Sequence, residues 1–277
     1  MKPELRKLIG GKLSIPTIPA VVQRINTLMQ DPDVGTREIG ELISEDAPLA
    51  AKVLKIANSA FYGLSRKCIS TTHASSMLGL RVLRNIVTQV SVMNKFTHLE
   101  GTTGIDVAGM WAHSGLTANI ASKLAPLATN VRILGPDEFH VCGLLHDIGK
   151  VVMLDWLGEE YALVLKSAAE QGISSEGLEQ TAFGFDHQDV GALVATRWDL
   201  PEALVDGIQH HHQSQEEVGT RLHVLLVTTA DNAAKALQAG DQDAASAAIL
   251  ASAGALGVQP SAIQELLESM SDDAPAV

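Results

Sequence analysis

Apolar residues recur at intervals of three and four positions along most of this 277-residue chain, and strict alternation of apolar and polar residues is scarce. The run from Pro19 to Met29 is typical, with apolar residues at 21, 22, 25, 28 and 29. That spacing places them on one face of an α-helix, whereas a half-buried strand would need every second residue to be apolar. The pattern predicts an all-α fold.

Breaks in this periodicity suggest how the chain is organised. Asp46 and Pro48 predict a helix start, because Asp favours the N-cap and Pro the first turn. A longer helix is predicted over about 72–96, after which Gly101-Thr-Thr-Gly104 interrupts the pattern. We therefore expect an N-terminal helical bundle, residues 1–100, packed on a second helical bundle, residues 101–277. Helices of the second bundle are predicted at about 107–128, 137–149, 159–171, 187–198, 201–212, 217–238, 241–255 and 260–270.

Composition narrows the class of protein. Apolar residues make up 46% of the chain, which is typical of a globular protein, and no apolar run approaches the roughly 18 residues needed to span a bilayer. The charged N-terminal stretch lacks the apolar block of a signal peptide. The two cysteines, Cys68 and Cys142, form neither a metal-binding spacing nor a disulfide framework. We expect a cytoplasmic protein that does not enter a membrane.

The charge balance argues against a nucleic-acid partner. The net charge is −12, and binding to phosphate backbones needs clustered Lys and Arg. The charge is also uneven: residues 1–100 hold 13 Lys/Arg and 8 Asp/Glu, whereas residues 101–277 hold 7 and 24. Two modules with different surfaces, or unevenly solvated faces of one domain, would both produce this asymmetry.

The second half of the chain carries many residues able to bind a metal. Imidazole and carboxylate together suit Fe, Mn, Ni or Zn rather than Ca. Ligands from several helices can converge in the core of a bundle, although a lone buried His is more often a hydrogen-bonded core residue. Sequence spacing leaves both interpretations open. The candidates are His113, His140, His146, Asp147, His187, His210, His211, His212 and Asp231.

Several of these residues lie in short motifs that resemble a known superfamily. His146 and Asp147 are central to LHDIGK, with WAHS upstream at 111–114 and H-x3-G downstream at 187–191. An HH pair and an AD dipeptide at 230–231 follow. This set resembles the HD superfamily of metal-dependent phosphohydrolases.

Further motifs indicate a closer resemblance, to the HDOD domain, a relative of the HD-GYP cyclic-di-GMP phosphodiesterases. They are IPTIP at 15–19, ISEDAPLAAKVLKIANSAFYG at 43–63, SMLGLR at 76–81 and RWDLP at 197–201. The resemblance covers about residues 13–240. It implies that the second bundle is HD-like, and that the family's metal-type positions are His113, His146, Asp147, His187, His211, His212 and Asp231. His140 and His210 match none of these positions.

The chain also departs from the phosphodiesterase pattern. Gln213 stands where an HD-GYP protein has Glu after its HH pair, and the GYP tripeptide is missing. The resemblance therefore implies a regulatory protein of bacterial signal transduction that acts through contacts with a signalling partner, with a divalent transition metal as its candidate cofactor. A metal-dependent phosphohydrolase acting on a nucleotide or cyclic nucleotide is the alternative, and a structural scaffold is a third.

If the protein is an enzyme, Asp147 and Lys150 are its candidate catalytic residues. Lys150 lies one turn after His146 and could hold a phosphate. A solvated cation at a helix end would have the same position in the sequence. The sequence does not specify an oligomeric state, and a homo-oligomer remains open.

Overall fold

The protein is all-α over the residues that its computed structural model describes, namely 2–9, 14–31, 33–58, 64 and 66–271. These residues form seventeen α-helices and no strand, so the predicted fold class is confirmed. No helix among them is long and apolar enough to cross a bilayer. The helices are α1 Pro3–Ile9, α2 Ala20–Leu28, α3 Thr36–Ser44, α4 Ala47–Ala57, α5 Thr71–Leu78, α6 Leu80–Lys95, α7 Val107–Leu124, α8 Pro136–Leu145, α9 Ile148–Leu157, α10 Glu159–Gln171, α11 Glu176–Phe183, α12 His187–Arg197, α13 Glu202–His210, α14 Gln215–Val218, α15 Leu222–Gln238, α16 Gln242–Leu256 and α17 Pro260–Ser271.

The helices group into two compact units. The larger unit contains the described residues up to Thr17 together with His98–Leu267. The smaller unit contains Ile18–Thr97 and the described residues from Glu268 onward. The start of the chain, including most of the IPTIP motif, therefore groups with the larger unit.

The smaller unit is built from α2 to α6 around an apolar core. Asp46 caps α4 as predicted, since its carboxylate accepts a hydrogen bond of 3.0 Å from the backbone N–H of Leu49. The single helix predicted over 72–96 is instead two helices. Gly79, with a φ of +83°, ends α5 and begins α6, because that backbone conformation is outside the helical range. The last five residues of the 43–63 motif lie outside the described part of the chain.

The larger unit holds all of the predicted metal-type residues. In it α7 packs against α8 and α15, α9 packs against α12, and α12 and α8 both pack against α13. The one helix predicted over 137–149 is wrong in detail, because α8 ends at Leu145 and α9 begins at Ile148. The sequence prediction also missed α9 beyond residue 149 and the whole of α11.

Two glycines allow the helices around this break to approach closely. A Cβ atom on Gly143 of α8 would lie 2.7 Å from the Cα of Ala118 on α7. A Cβ atom on Gly149 of α9 would lie only 1.9 Å from the carbonyl oxygen of His187 on α12. Both distances are shorter than any real carbon contact, so only glycine fits. This close packing brings α7 and α12 against the chain segment that carries the His-Asp pair.

Candidate metal centre

The His-Asp pair occupies a break between two helices. His146 is the C-cap residue of α8, and Asp147, with φ −100° and ψ 10°, is the N-cap residue of α9. The expectation that both lie within one continuous helix is therefore wrong. The break lets both side chains reach one cluster, where the shortest distance from His146 Nε2 to the Asp147 carboxylate is 3.4 Å.

Three histidines are oriented by hydrogen bonds from their Nδ1 atoms to oxygen acceptors. His146 Nδ1 donates to the carbonyl of Gly143 at 2.6 Å, and His211 Nδ1 donates to the carbonyl of Ile208 at 2.7 Å. His187 Nδ1 lies 2.7 Å from a carboxylate oxygen of Glu179. A carbonyl or carboxylate can only accept, so Nδ1 carries the proton in each ring. When the ring is neutral, its Nε2 atom therefore turns a lone pair toward the cluster, the arrangement found in metal-ligating histidines.

Asp147 lies at the centre of the first group of ligand atoms. Its Oδ1 atom is 3.4 Å from His187 Nε2 and 3.5 Å from His211 Nε2. His212 completes the group, with its Nε2 atom 3.0 Å from His187 Nε2. Two nitrogens that each lie about 2.1 Å from one ion would be separated by roughly 3 Å, so this spacing suits a shared ion.

Asp231, from the middle of α15, joins a second group. Its Oδ1 atom is 2.9 Å from His113 Nε2 and 3.6 Å from His146 Nε2. The other ring nitrogen of His113, Nδ1, lies 3.0 Å from the side-chain oxygen of Gln238. His212 Nδ1 lies 3.9 Å from the other oxygen of Asp231, which joins this group to the first.

The structure thus brings together all seven residues that the resemblance indicated. Within each group the ligand atoms lie within 4.8 Å of one another. One group is Asp147, His187, His211 and His212, and the other is His113, His146 and Asp231.

Three buried atoms of the cluster make no hydrogen bond to any residue in the described part of the chain. They are His146 Nε2, His211 Nε2 and Asp147 Oδ1. A buried polar atom without a partner costs about 1–3 kcal/mol, and three in one place call for a shared partner. The donor set, imidazole nitrogens and carboxylate oxygens, fits a divalent transition metal. The cluster could therefore bind a metal.

The protonation states of the side chains in the cluster are compatible with metal binding. Burial alone would raise the pKa of Asp147, but Lys150 and His146 hold it well below its ordinary value. Burial lowers the pKa of His211 to about 4, so this imidazole is neutral at pH 7. Burial acts against the charge on His146 as well, but Asp147 and Asp231 outweigh it and raise its pKa to about 9. A metal ion would have to displace that proton, so its affinity should rise with pH.

Two lysines neutralise the carboxylates of the cluster. Lys150 Nζ lies 2.8 Å from Asp147 Oδ2, and Lys235 Nζ lies 2.6 Å from Asp231 Oδ2. Lys150 is 16% exposed, so it is not the solvated cation that one interpretation of the sequence expected. Burial lowers its pKa, but Asp147 outweighs this and the net shift is upward.

Glu179, which no sequence pattern indicated, is central to the orientation of His187. Its carboxylate is fully buried and accepts from the backbone N–H of His187 at 2.8 Å as well as from the ring. The hydroxyls of Tyr161 and Ser175 each donate to its other oxygen at 2.7 Å. Burial would raise the pKa of Glu179, but the proximity of His187 and the hydrogen bonds lower it to about 2.

A second network fixes the chain on both sides of the HH pair. Arg221 donates to Asp206 on α13 at 2.8 Å and to the side-chain oxygen of Gln213 at 2.6 Å. His210 Nδ1 also lies 2.8 Å from Asp206. Gln213, which replaces the Glu of the phosphodiesterases, therefore serves here as a partner of Arg221. His210 and His140 both lie outside the two ligand groups.

Comparisons with known proteins agree with the fold described above. A 1.90 Å crystal structure of an HDOD domain protein with unknown function from Geobacter sulfurreducens superposes with a TM-score of 0.72 at 28% identity, covering 95% of this chain and 97% of that one. A candidate phosphohydrolase from Shewanella amazonensis SB2B gives a TM-score of 0.77, covering 98% of this chain and 95% of that one; at 23% identity it supports the fold alone.

A longer relative and a family model complete the comparison. An uncharacterized protein of Treponema pallidum (strain Nichols) is 31% identical over 198 residues, which is 72% of this chain but only 37% of that protein. This chain therefore corresponds to little more than a third of that relative. The model of the HDOD domain matches residues 15–214. The chain belongs to the HDOD domain family.

Proposed function

We propose that this protein is a cytoplasmic regulatory protein of signal transduction, which holds a divalent transition metal in its HD-type centre and acts by binding a partner protein. The metal stabilises the arrangement of the helices that carry the seven ligands, and the partner protein binds to the helices in that arrangement. The net charge of −12 argues against nucleic acid as the partner.

One observation carries this proposal: the ligand atoms converge in a place that is nearly closed to solvent. The most exposed side chains of the seven are those of His212, at 12%, and His113, at 11%. The side chains of His146, His187 and His211 are inaccessible. Such a centre is built to hold an ion, whereas turnover of a large phosphoester needs an open approach to the reacting atoms.

The residues of this chain have separable roles in the proposed centre. Asp147 would join His187, His211 and His212 in holding one ion, while Asp231 would join His113 and His146. Asp147 and Asp231 supply the negative charge, and Glu179 orients His187. When bound, a divalent metal would supply Lewis acidity.

Metal analysis of an Asp147→Asn variant tests the proposal. After loading with Fe, Mn, Ni or Zn and removal of excess ions, the wild-type protein should retain metal and the variant should retain little. Metal should also raise the melting temperature of the wild-type protein alone, since an ion bound only by the folded state stabilises that state. The control is Asp155→Asn on the same helix, whose carboxylate pairs with His98 instead. Equal metal retention in wild type and Asp147→Asn would contradict the proposal.

A metal-dependent phosphohydrolase is the second candidate function. It is favoured by the two adjoining ligand groups and by Lys150, a cation beside Asp147 of the kind that binds a phosphoryl oxygen. The regulatory proposal predicts no turnover of cyclic-di-GMP or of a simple phosphodiester by Mn- or Fe-loaded protein. Multiple turnovers that disappear in Asp147→Asn and persist in Asp155→Asn would establish the enzyme instead.

A further inference from the structure

The outer side of α10 and α11 carries an apolar groove with a volume of about 300 Å³. Leu163, on its α10 side, is 67% exposed. The groove is shallow and open, and Leu163 lies beside further apolar side chains in it rather than standing alone on the surface. The groove is lined by Leu163, Val164, Ser167, Leu178, Thr181 and Ala182.

The surroundings of the groove are acidic. Residues 159–185 contain five Asp or Glu residues and one Lys. Glu160 and Glu170 are both exposed, one turn to either side of Val164 and Ser167 on the same face of α10. The single cation, Lys166, is directed to the backbone carbonyl of Thr103 at 3.2 Å. The groove therefore presents an apolar floor with negative charge at its ends.

The buried side of the same two helices leads to the metal centre. Tyr161 of α10 and Glu179 of α11 are both fully buried and are joined by their 2.7 Å hydrogen bond. The ring of Tyr161 also packs against Phe183 of α11, with centroids 6.2 Å apart. Since Glu179 orients His187, a change in the spacing of α10 and α11 would be transmitted to a ligand of the proposed metal.

We propose that this groove binds an amphipathic helix of a partner protein, with an apolar stripe that fills the groove and Lys or Arg residues that face Glu160 and Glu170. The occupant sets the spacing of α10 and α11 and thereby the orientation of His187. This inference rests on the proposed regulatory function and identifies the chemistry of its partner.

A helix suits this surface better than the other candidate occupants. A groove between two packed helices accepts the side-chain ridge of a third, with apolar anchors at intervals of three and four residues. The carboxylates at its ends would repel a fatty acid or an acidic helix. A basic amphipathic helix satisfies both the shape and the charge.

Selection from a displayed library of single-helix peptides on the full-length protein tests the proposal. Peptides that enrich should carry apolar residues three and four positions apart with flanking Lys or Arg. Their affinity, measured by fluorescence anisotropy, should fall at least about tenfold in Leu163→Glu and in Ala182→Arg, as expected for loss of a central anchor. The matched control is Leu250→Glu, an equally charged change at an exposed apolar residue of α16, which should bind as wild type does. Both altered groove positions are exposed, so the variants should fold.

The coupling to the metal centre has its own readout. The imidazole signals of His187 in a long-range proton–nitrogen NMR spectrum should shift when a selected peptide binds, with or without metal. Equal affinity for Leu163→Glu and Leu250→Glu, or no enrichment on wild type over Leu163→Glu, would overturn the docking site. Binding that leaves His187 unchanged would overturn the coupling. A protein that binds the peptide but retains no metal would instead contradict only the proposed metal centre.

Discussion

Removal of the Glu179 carboxylate should damage both the stability and the metal affinity of the protein. Glu179→Ala leaves four donors without their acceptor: the hydroxyls of Tyr161 and Ser175, and the backbone and ring N–H groups of His187. Hydrogen bonds to charged groups are worth about 1.5–3 kcal/mol each, but removal of a buried carboxylate also relieves the cost of its desolvation. Breaking a buried charged cluster of this kind costs about 3–5 kcal/mol, which we expect here.

The isosteric Glu179→Gln change should cost less. The amide oxygen of the new side chain can still accept hydrogen bonds from His187. Its NH2 group can donate to the hydroxyl oxygens of Tyr161 and Ser175. Those two hydroxyls then lose only the acceptor for their own protons. We expect a loss of about 1–2 kcal/mol. Because the carboxylate fixes the orientation of the His187 ring, metal affinity should fall by about 10- to 100-fold in either variant.

Urea denaturation of metal-free protein, followed by circular dichroism, measures the free energy of unfolding. A competition assay with a metal chelator measures the metal affinity. The control is Glu176→Ala in the same helix, because the Glu176 carboxylate accepts a hydrogen bond from the exposed hydroxyl of Ser174 and, among the described residues, makes none with His187. It should change the free energy of unfolding by no more than about 0.5 kcal/mol. If Glu179→Ala matched Glu176→Ala in both assays, the assignment of Glu179 as the residue that orients His187 would be wrong.

Three further results are expected. Arg221→Ala should lower the free energy of unfolding by about 1–3 kcal/mol, because it leaves a partly buried carboxylate on α13 without its cation; unchanged urea stability would contradict this. Burial lowers the pKa of His140 to about 4, so the unfolded chain binds a proton that the folded chain does not. Wild type should therefore lose up to about 3 kcal/mol relative to His140→Leu as the pH falls from 6.5 through 4, and parallel pH profiles would refute it. Gly149→Ala should be severely destabilising, whereas Gly177→Ala, which meets no atom within 4 Å, should be neutral or stabilising in the same melting experiment.

Patterns local to the chain were enough to predict the fold class and a set of candidate ligands. Helical periodicity is a local property, so the apolar face of α2 and the Asp46 cap of α4 could be predicted from neighbouring residues. The WAHS, HD, H-x3-G, HH and AD motifs identified seven ligand-type residues because their order along the chain resembles that of a family. The same local reasoning failed at Gly79 and at the His146–Asp147 break, where one residue in a different backbone conformation divides a pattern that otherwise continues.

Which residues share a site, and which neighbours hold them there, depends on how the helices pack. His113 and Asp231 are separated by 118 positions in the sequence, yet their side chains meet at 2.9 Å because α7 and α15 pack together. Glu179 lies in an ordinary amphipathic helix, and nothing in its neighbours reveals that it is buried against His187. Burial and the distance between side chains depend on how helices pack, and packing is set by contacts between residues far apart in the chain. Periodicity and spacing describe only neighbours, which is why candidate ligands could be proposed from sequence motifs whereas the residues that support them could not.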